Sequence, residues 1–417
     1  MPSFSAKSIC ILGRQPALGL AELECVYGAE HIQPLGDHAL LDIPAGDINF
    51  KRLGGSLKVA RLLAVLDSSD WPSAYDYLAN NVPRHLPHLP PGGLTLGVSV
   101  YGLDVNPRKL SADLLSLKRI IRAAGRSARI VPNKSLQLNA AQVLHNNLTK
   151  RGAWELLLVR HLKQTYIGQT FFVQDIDAYA ARDQARPKRD ARIGMLPPKL
   201  GQIIINLAAP VTINKKQEAK SILDPFCGTG VILQEALLMG YEAIGSDIEP
   251  RMVEYAQANL DWLGPKFELQ TSSFKLYQGD ATNHKWSDKF DVIASEIWLG
   301  RPFTAPPPPA ILQQNINDVN TILKKFLSNL RGQVPAGFRM CLAVPAWPRG
   351  IGNAGSPAAS IPRGWQIANL THRLPLLERL TDVGYNRIAL KHVGFDELIY
   401  ARPNQIVARE LVIMERI

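Results

Sequence analysis

Residues 222–230 read Ile-Leu-Asp-Pro-Phe-Cys-Gly-Thr-Gly, an apolar strand start that runs through Asp224-Pro225 into a glycine turn. The run Val231–Leu238 behind it is apolar and helical in character. The segment therefore predicts the strand–turn–helix opening of a nucleotide-type α/β fold. Gly228 and Gly230 let the backbone turn tightly and approach a flat ligand with no Cβ in the way. A carboxylate is expected at the end of the next strand, to accept hydrogen bonds from ribose hydroxyls, and Ala243-Ile244-Gly245-Ser246-Asp247 provides one. A dinucleotide fingerprint would place a third glycine three residues after Gly230. Leu233 stands there, which weighs against a nicotinamide cofactor.

An acid four residues before Gly228, with Pro-Phe-Cys between, resembles the binding motif of the amine methyltransferases for S-adenosyl-L-methionine. The resemblance implies that Asp224, Phe226, Gly228, Gly230 and Asp247 hold this donor. Tyr277-Gln278-Gly279-Asp280-Ala281 follows a plausible strand and is similar to the family element that holds the adenine amine, which implies the same role for Asp280. Read alone, that stretch is equally an ordinary acidic loop.

The chain has 417 residues, enough for two or three domains, and a 46% hydrophobic content sufficient for well-packed cores. Cys10, Cys25, Cys227 and Cys341 are scattered, with no CxxC pair and no metal-ligand spacing. They read as reduced packing residues of a cytoplasmic protein with no metal. No apolar run has the length of a membrane span, and Met1–Ser8 lacks the parts of a signal peptide. The net charge of +11 points to a polyanionic partner.

Residues 1–85 alternate short strands with helices: a strand at Ser8–Leu12, a helix at Leu18–Val26, a strand at Ala39–Ile43, a helix around Ile48–Leu57 and a strand at Ala60–Leu66. This order predicts a ferredoxin-like α+β module. After the Pro-rich stretch 83–91, residues 86–176 form a second α+β module whose helix Ser111–Gly125 carries Lys118, Arg119 and Arg122. Its order and its place ahead of the donor motif resemble a THUMP RNA-binding domain. Residues 177–195 read as a basic linker, and 196–417 as a doubly wound, Rossmann-like α/β domain. Two Pro/Gly-rich stretches, 301–309 and 345–362, are expected to be loops at the active-site rim. Glu397–Arg402 and Gln405–Ile413 are expected to close the sheet as an antiparallel hairpin joined by Pro403-Asn404.

Gly194-Met195-Leu196-Pro197-Pro198-Lys199-Leu200, running on to Ala208, closely resembles the element that precedes the catalytic domain of THUMP-containing tRNA guanosine-10 N2-methyltransferases. Pro197-Pro198 suits the first turn of a helix, where a missing N–H leaves nothing unpaired. Asn206 is either a ligand for the methionyl end of the donor or simply a residue near the helix terminus.

In that family the fourth strand of the domain ends in Asp-Pro-Pro-Tyr or Asn-Pro-Pro-Tyr. A side-chain oxygen and a proline carbonyl accept the amine hydrogens of a base, and an aromatic ring stacks on it. Here the sequence is Ser295-Glu296-Ile297-Trp298-Leu299-Gly300, with both prolines missing. One register sets Glu296 at the acid; the other sets Ser295 there and aligns Trp298 with the aromatic. The first is preferred, because a carboxylate can accept both hydrogens. Glu296, Trp298 and Ser295 are thus the candidate catalytic residues. Cys227 and Cys341 are poorly placed for the covalent attack that pyrimidine C5 methylation needs.

Basic residues gather at Lys51-Arg52-Lys58-Arg61, at Lys118-Arg119-Arg122-Arg126-Arg129, and along Arg182–Arg192. Each alone reads as a solvated face; together they suggest a clamp on tRNA or other structured RNA. The resemblance implies methyl transfer to guanine N2 in tRNA. Two alternatives stay open: an amine methyltransferase acting on DNA adenine or cytosine or on ribosomal RNA, and a non-catalytic RNA-binding protein that retains the donor pocket.

Overall fold

The computed structural model describes residues 4–190, 195–210, 220–267, 274–348, 370–402 and 405–417. The chain divides into two compact units. Unit 1 contains residues 1–16, 30–51 and 56–178, and unit 2 contains 17–29, 52–55 and 179–417.

Up to residue 184 the elements are β1 (Ser8–Leu12), α1 (Pro16–Tyr27), β2 (Ile32–Leu35), β3 (His38–Leu41), β4 (Ser56–Leu66), α2 (Trp71–His85), β5 (Leu94–Tyr101), α3 (Pro107–Ala123), β6 (Ala128–Ile130), α4 (Ala140–His145), β7 (Ala153–His161), β8 (Gln164–Val173) and α5 (Ile176–Gln184). Unit 1 is built on one eight-stranded sheet in the order β2-β3-β1-β4-β8-β7-β5-β6. β4 pairs antiparallel with β8, so strands from the two segments expected as separate modules share a single sheet. α2 and α3 cover part of it with Trp71, Leu78, Val82, Leu110, Leu114 and Leu117, packed against Leu94, Leu96 and Val98. Asn106 starts α3 by accepting a hydrogen bond from the Lys109 amide at 2.9 Å.

Two expectations for the N-terminal segment change. The helix expected around Ile48–Leu57 is replaced by short 3-10 turns at Ala45–Asp47 and Phe50–Arg52, followed by Gly54-Gly55 and the start of β4. Both glycine amides donate to the Glu22 carboxylate, at 2.9 and 2.8 Å. α1 itself is buried on every side from Leu18 to Tyr27, glutamates included, and from Ala17 onward belongs to unit 2. A helix with no polar face must be enclosed by its neighbours. A Cβ on Gly55 would come within 2.5 Å of the Gly19 Cα, so only glycine admits this approach.

Unit 2 continues with α6 (Pro198–Ala208), β9 (Ser221–Asp224), α7 (Val231–Leu238), β10 (Glu242–Asp247), α8 (Pro250–Lys266), β11 (Phe274–Gln278), β12 (Val292–Glu296), α9 (Pro309–Arg331), β13 (Arg339–Pro348), β14 (Leu370–His372), β15 (Tyr385–Arg387), β16 (Ile399–Tyr400) and β17 (Ala408–Arg416). The main sheet runs β11-β10-β9-β12-β13-β17-β15. Its first five strands are parallel, and β17 is antiparallel to both neighbours. The chain winds outward from β9 to β11, then returns past β9 to β12 and β13. The reversal creates a topological switch point between β9 and β12, where open α/β sheets bind ligands at the carboxyl ends of their strands. α9 lays Leu312, Ile316, Val319, Leu323, Phe326 and Leu327 on the sheet residues Ile293, Met340 and Leu342.

Pro197 and Pro198 open α6 as its N-cap and first helical residue. Arg339 donates twice to the Leu207 carbonyl near the helix end, at 3.0 and 2.9 Å. Residues 345–348, expected in a loop, are the last part of β13; Trp347 is fully buried and pairs with His372. Its bulk anchors the strand despite the flanking prolines. β16 pairs with β17 antiparallel, while Pro403-Asn404 lies outside the described residues.

Candidate active site

The glycine turn is held by backbone chemistry. The Cys227 amide donates to the Ser246 carbonyl at 3.0 Å, and the Gly228 amide to Asp247 Oδ2 at 2.9 Å. Gly228 and Gly230 have φ of +50° and +82°, a region that carries strain for residues with a side chain. Gly230 also abuts α8, where a Cβ would sit 3.2 Å from the Ala256 Cβ. A Cβ on Gly228 would meet nothing within 4 Å, so the turn presents bare backbone to open space.

Two acids end neighbouring strands, and a third lies in the loop just past the next strand. Asp247 closes β10, and its Oδ1 accepts from the Glu249 amide at 3.0 Å. Burial raises its pKa. With about four lone-pair positions on a carboxylate, it can still accept from hydroxyls. The Gly279 amide donates to the Asp247 carbonyl at 2.9 Å, which brings the loop containing Asp280 beside β10. Asp280 Oδ1 accepts from the Thr282 amide at 2.9 Å. Asp224 ends β9 and is almost fully buried; desolvation pushes its pKa up to about 7 against the hydrogen bonds from Ser295 and Phe226.

β12 delivers the other half. Glu296 is its last residue, with its side chain 17% exposed. Burial raises its pKa, and the nearby guanidinium groups of Arg409 and Arg402 oppose that rise. Arg409 on β17, itself only 3% exposed, donates through Nε to the Glu296 carboxylate. Trp298, two residues on, is 36% exposed, a large apolar ring left facing outward. The missing prolines have a local explanation. The Ile297 amide donates to the Ala343 carbonyl at 3.1 Å, extending the β12–β13 pairing by a bond that proline could not make. The Ile297 side chain is buried in the core beneath.

Two candidates sit elsewhere than the sequence suggests. Ser295 is fully buried and donates to Asp224 Oδ1 at 2.6 Å, so it ties β12 to β9 and does not face a substrate. Asn206 is also fully buried, and its amide donates to Glu22 at 2.8 Å and to the Arg52 carbonyl at 3.0 Å. Its oxygen accepts from Arg52 Nε at 2.6 Å. Those bonds engage both ends of its amide, which leaves it a lock between α1 and α6 and not a donor ligand. Glu22, in the same network, has its pKa raised to about 7 by burial. Phe226 lies edge-on to Phe326 at 5.2 Å and packs on the core, presenting only part of its ring.

The basic clusters are also partly structural. Arg52 bonds Asn206 and Tyr241, and Lys58 is buried against Glu155. Arg126 donates to the Leu86 carbonyl at 2.8 Å. In the join, Arg182 pairs with Glu235 at 2.9 Å and Arg186 is buried. Arg61, Arg119, Arg122, Lys188 and Arg189 stay exposed.

A bare glycine turn, strand-end acids at a switch point and this strand order define the class: unit 2 contains a Rossmann-like methyltransferase domain. A family model described as a methyltransferase domain matches residues 216–335. Among particular proteins, the chain is 31% identical over 166 residues to the tRNA (guanine(10)-N2)-dimethyltransferase of Methanothermobacter thermautotrophicus, covering 39% of this chain and 43% of that one. It is 36% identical over 114 residues to the enzyme of the same name from Pyrococcus abyssi, covering 27% and 30%. The matches thus span less than half the length of these relatives. In fold, the chain is similar to TrmN from Thermus thermophilus, with a TM-score of 0.50 at 15% identity over 98% of this chain and 99% of that one.

All four cysteines are free and buried; burial raises the pKa of Cys227 and Cys341, which makes both poor nucleophiles. Among the described residues, no helix is long and apolar enough to cross a membrane.

Proposed function

We propose that the chain is a cytoplasmic, S-adenosyl-L-methionine-dependent methyltransferase that modifies an exocyclic amine of an RNA base, namely guanine N2 in tRNA. The observation that carries this reading is the juxtaposition at the switch point. Asp224 and Glu296 end adjacent strands, bridged through Ser295, and Trp298 stands exposed just beyond. The names of the archaeal relatives favour guanine N2.

The donor, when bound, supplies a methyl group made electrophilic by a sulfonium. Bare backbone at Gly228 and the Asp247 carboxylate fit its ribose, Asp280 suits the adenine amine, and the buried Asp224 is an acid that a neighbouring cation would favour. Phe226 offers a ring edge beside Asp224. Glu296 accepts the amine N–H groups of the guanine, turns the nitrogen lone pair toward the methyl and takes up the proton released. Trp298 stacks on the base to fix its plane. In residues 86–176, which we read as THUMP-like, exposed Arg119 and Arg122 supply phosphate contacts that position RNA without reading sequence, and exposed Arg61 adds one from the segment ahead of them.

Incubation with labelled donor and equal amounts of tRNA, ribosomal RNA and plasmid DNA tests the substrate. Label in tRNA, recovered as N2-methylguanosine, is expected; label in DNA alone overturns the proposal.

Asp224 gives the donor pocket a pH dependence. A cation bound beside it requires the ionised form, while the free protein holds its pKa near 7. Donor affinity should therefore rise with pH up to about 7 and level off above, approaching tenfold per unit on the acid side. Calorimetry from pH 5.5 to 8.5 checks this, and Asp224→Asn should flatten the curve. A flat wild-type profile would place the sulfonium away from Asp224.

A further inference from the structure

Arg409 reaches the catalytic loop from β17, 113 residues further along the chain than Glu296. It is an expensive residue to bury. At 3% exposure, a guanidinium is stripped of most of its water and depends on its partners for stability. Its β17 neighbour Glu410 turns the other way, to Arg373 and Arg387, as alternation along a strand requires. β17 therefore directs one buried cation at the end of β12 and one buried anion at the far side.

Among the described residues, the charges facing Glu296 include Arg409 on β17, Arg402 just before β17, and Asp224 on β9. Asp224 and the low-dielectric surroundings favour a neutral Glu296; the two arginines favour the carboxylate. A protonated Glu296 would itself be a donor at one oxygen and would compete with the amine for hydrogen bonds. The glutamate stem is also one carbon longer than the aspartate of the resembled motif, which adds a rotatable bond that an ion pair can fix.

We infer that Arg409 is the positioning residue of the methyl-transfer site, holding Glu296 as an oriented carboxylate ready to accept the amine hydrogens of the base. This rests on the function proposed above. The two prolines of the family motif are absent here, and a guanidinium from the antiparallel strand holds the acidic side chain instead. The pair leaves donor binding to β9 and β10, so its effect falls on turnover.

The test uses full-length protein with Glu side chains labelled with carbon-13 at Cδ, and Glu296→Gln to assign the resonance. In Arg409→Gln the Glu296 titration midpoint should move up by roughly one to three units. The acid limb of the kcat profile for tRNA should move with it, and kcat at pH 7 should fall about 10²-fold while the donor Kd stays within about threefold. Arg409→Lys, which keeps the charge but not the planar fork, should leave the midpoint near its wild-type value and recover part of kcat. If Arg409→Gln does not fold, Arg409→Lys decides by that midpoint and partial activity: a midpoint raised as far as Glu296 in an uncharged site, or full activity, overturns the proposal. A Glu296 midpoint unmoved in folded Arg409→Gln, or a variant faster than wild type, also overturns it, the second outcome marking the pair as a plug. A shifted midpoint in a protein that never methylates RNA sinks the functional reading instead, and the two failures are told apart.

Discussion

Replacing Glu296 with glutamine should lower kcat for tRNA methylation by about 10²–10³-fold, or roughly 3–4 kcal/mol of transition-state stabilisation. Glutamine keeps the length of the side chain and one acceptor oxygen, but it lacks the charge that draws both amine hydrogens and receives the released proton. KM for tRNA should change little, because the interaction strengthens as the amine becomes positive and not in the ground state. Steady-state kinetics with an unmodified transcript, together with calorimetric donor binding, separates these terms. The variant also removes the anion facing buried Arg409, so a melting temperature is needed to show that lost activity is not lost fold. Turnover at the wild-type level would remove Glu296 from the chemistry.

The second large effect concerns stability. Lys58 and Glu155 form a buried ion pair in the unit 1 sheet, with side chains 4% and 0% exposed. Lys58 Nζ also donates to the Leu138 carbonyl at 2.8 Å; Ser99 and Thr170 donate to the two Glu155 oxygens at 2.6 and 2.7 Å. Desolvation lowers the pKa of Lys58, and Glu155 opposes it. Lys58→Met would strand an uncompensated carboxylate in the core, at a cost of about 3–5 kcal/mol. Adding Glu155→Gln should return much of that, because glutamine carries no buried charge, its amide oxygen can accept from one of the two hydroxyls and its amide nitrogen can donate to the other. Hydrogen exchange of the β4, β7 and β8 amides reads the effect inside unit 1, which a single melting curve of a two-unit chain does not. Exchange unchanged in Lys58→Met would mean that the site relaxes or admits water.

The contrast between these sites explains what a sequence can disclose. The place of the glycine turn, Asp224 and Asp247 in the fold is legible because each is fixed by local geometry, a positive φ or a strand end, and Asp280 follows two residues after β11; their role toward a donor is a proposal. Pro197-Pro198 was legible for the same reason. The sequence places Glu296 and Trp298 at the end of a strand but does not show the partner of Glu296, since Arg409 reaches it only through the β13–β17 pairing. Asn206 and Arg52 were misleading because their partners lie 154 and 184 residues from Asn206. Their lock with Glu22 leaves no periodic trace. Lys58 read as part of a basic surface for the same reason: its position on the inner face of β4 emerges only from the sheet. One trace of that lock does stand in the sequence. Leu18–Val26 is apolar on all sides apart from Glu22 and Glu24, which marks a helix enclosed by neighbours and two carboxylates in need of donors. Gly54-Gly55, with two amides close together, was a natural source.

The most direct test of the central claim is a crystal structure with S-adenosylhomocysteine soaked in. The product should lie along the Gly228–Gly230 turn with its ribose hydroxyls on Asp247, its adenine toward Asp280, and its sulfur facing the opening between Glu296 and Trp298. Density for the ligand away from the ends of β9 and β12, or none at saturating concentration, would contradict the account.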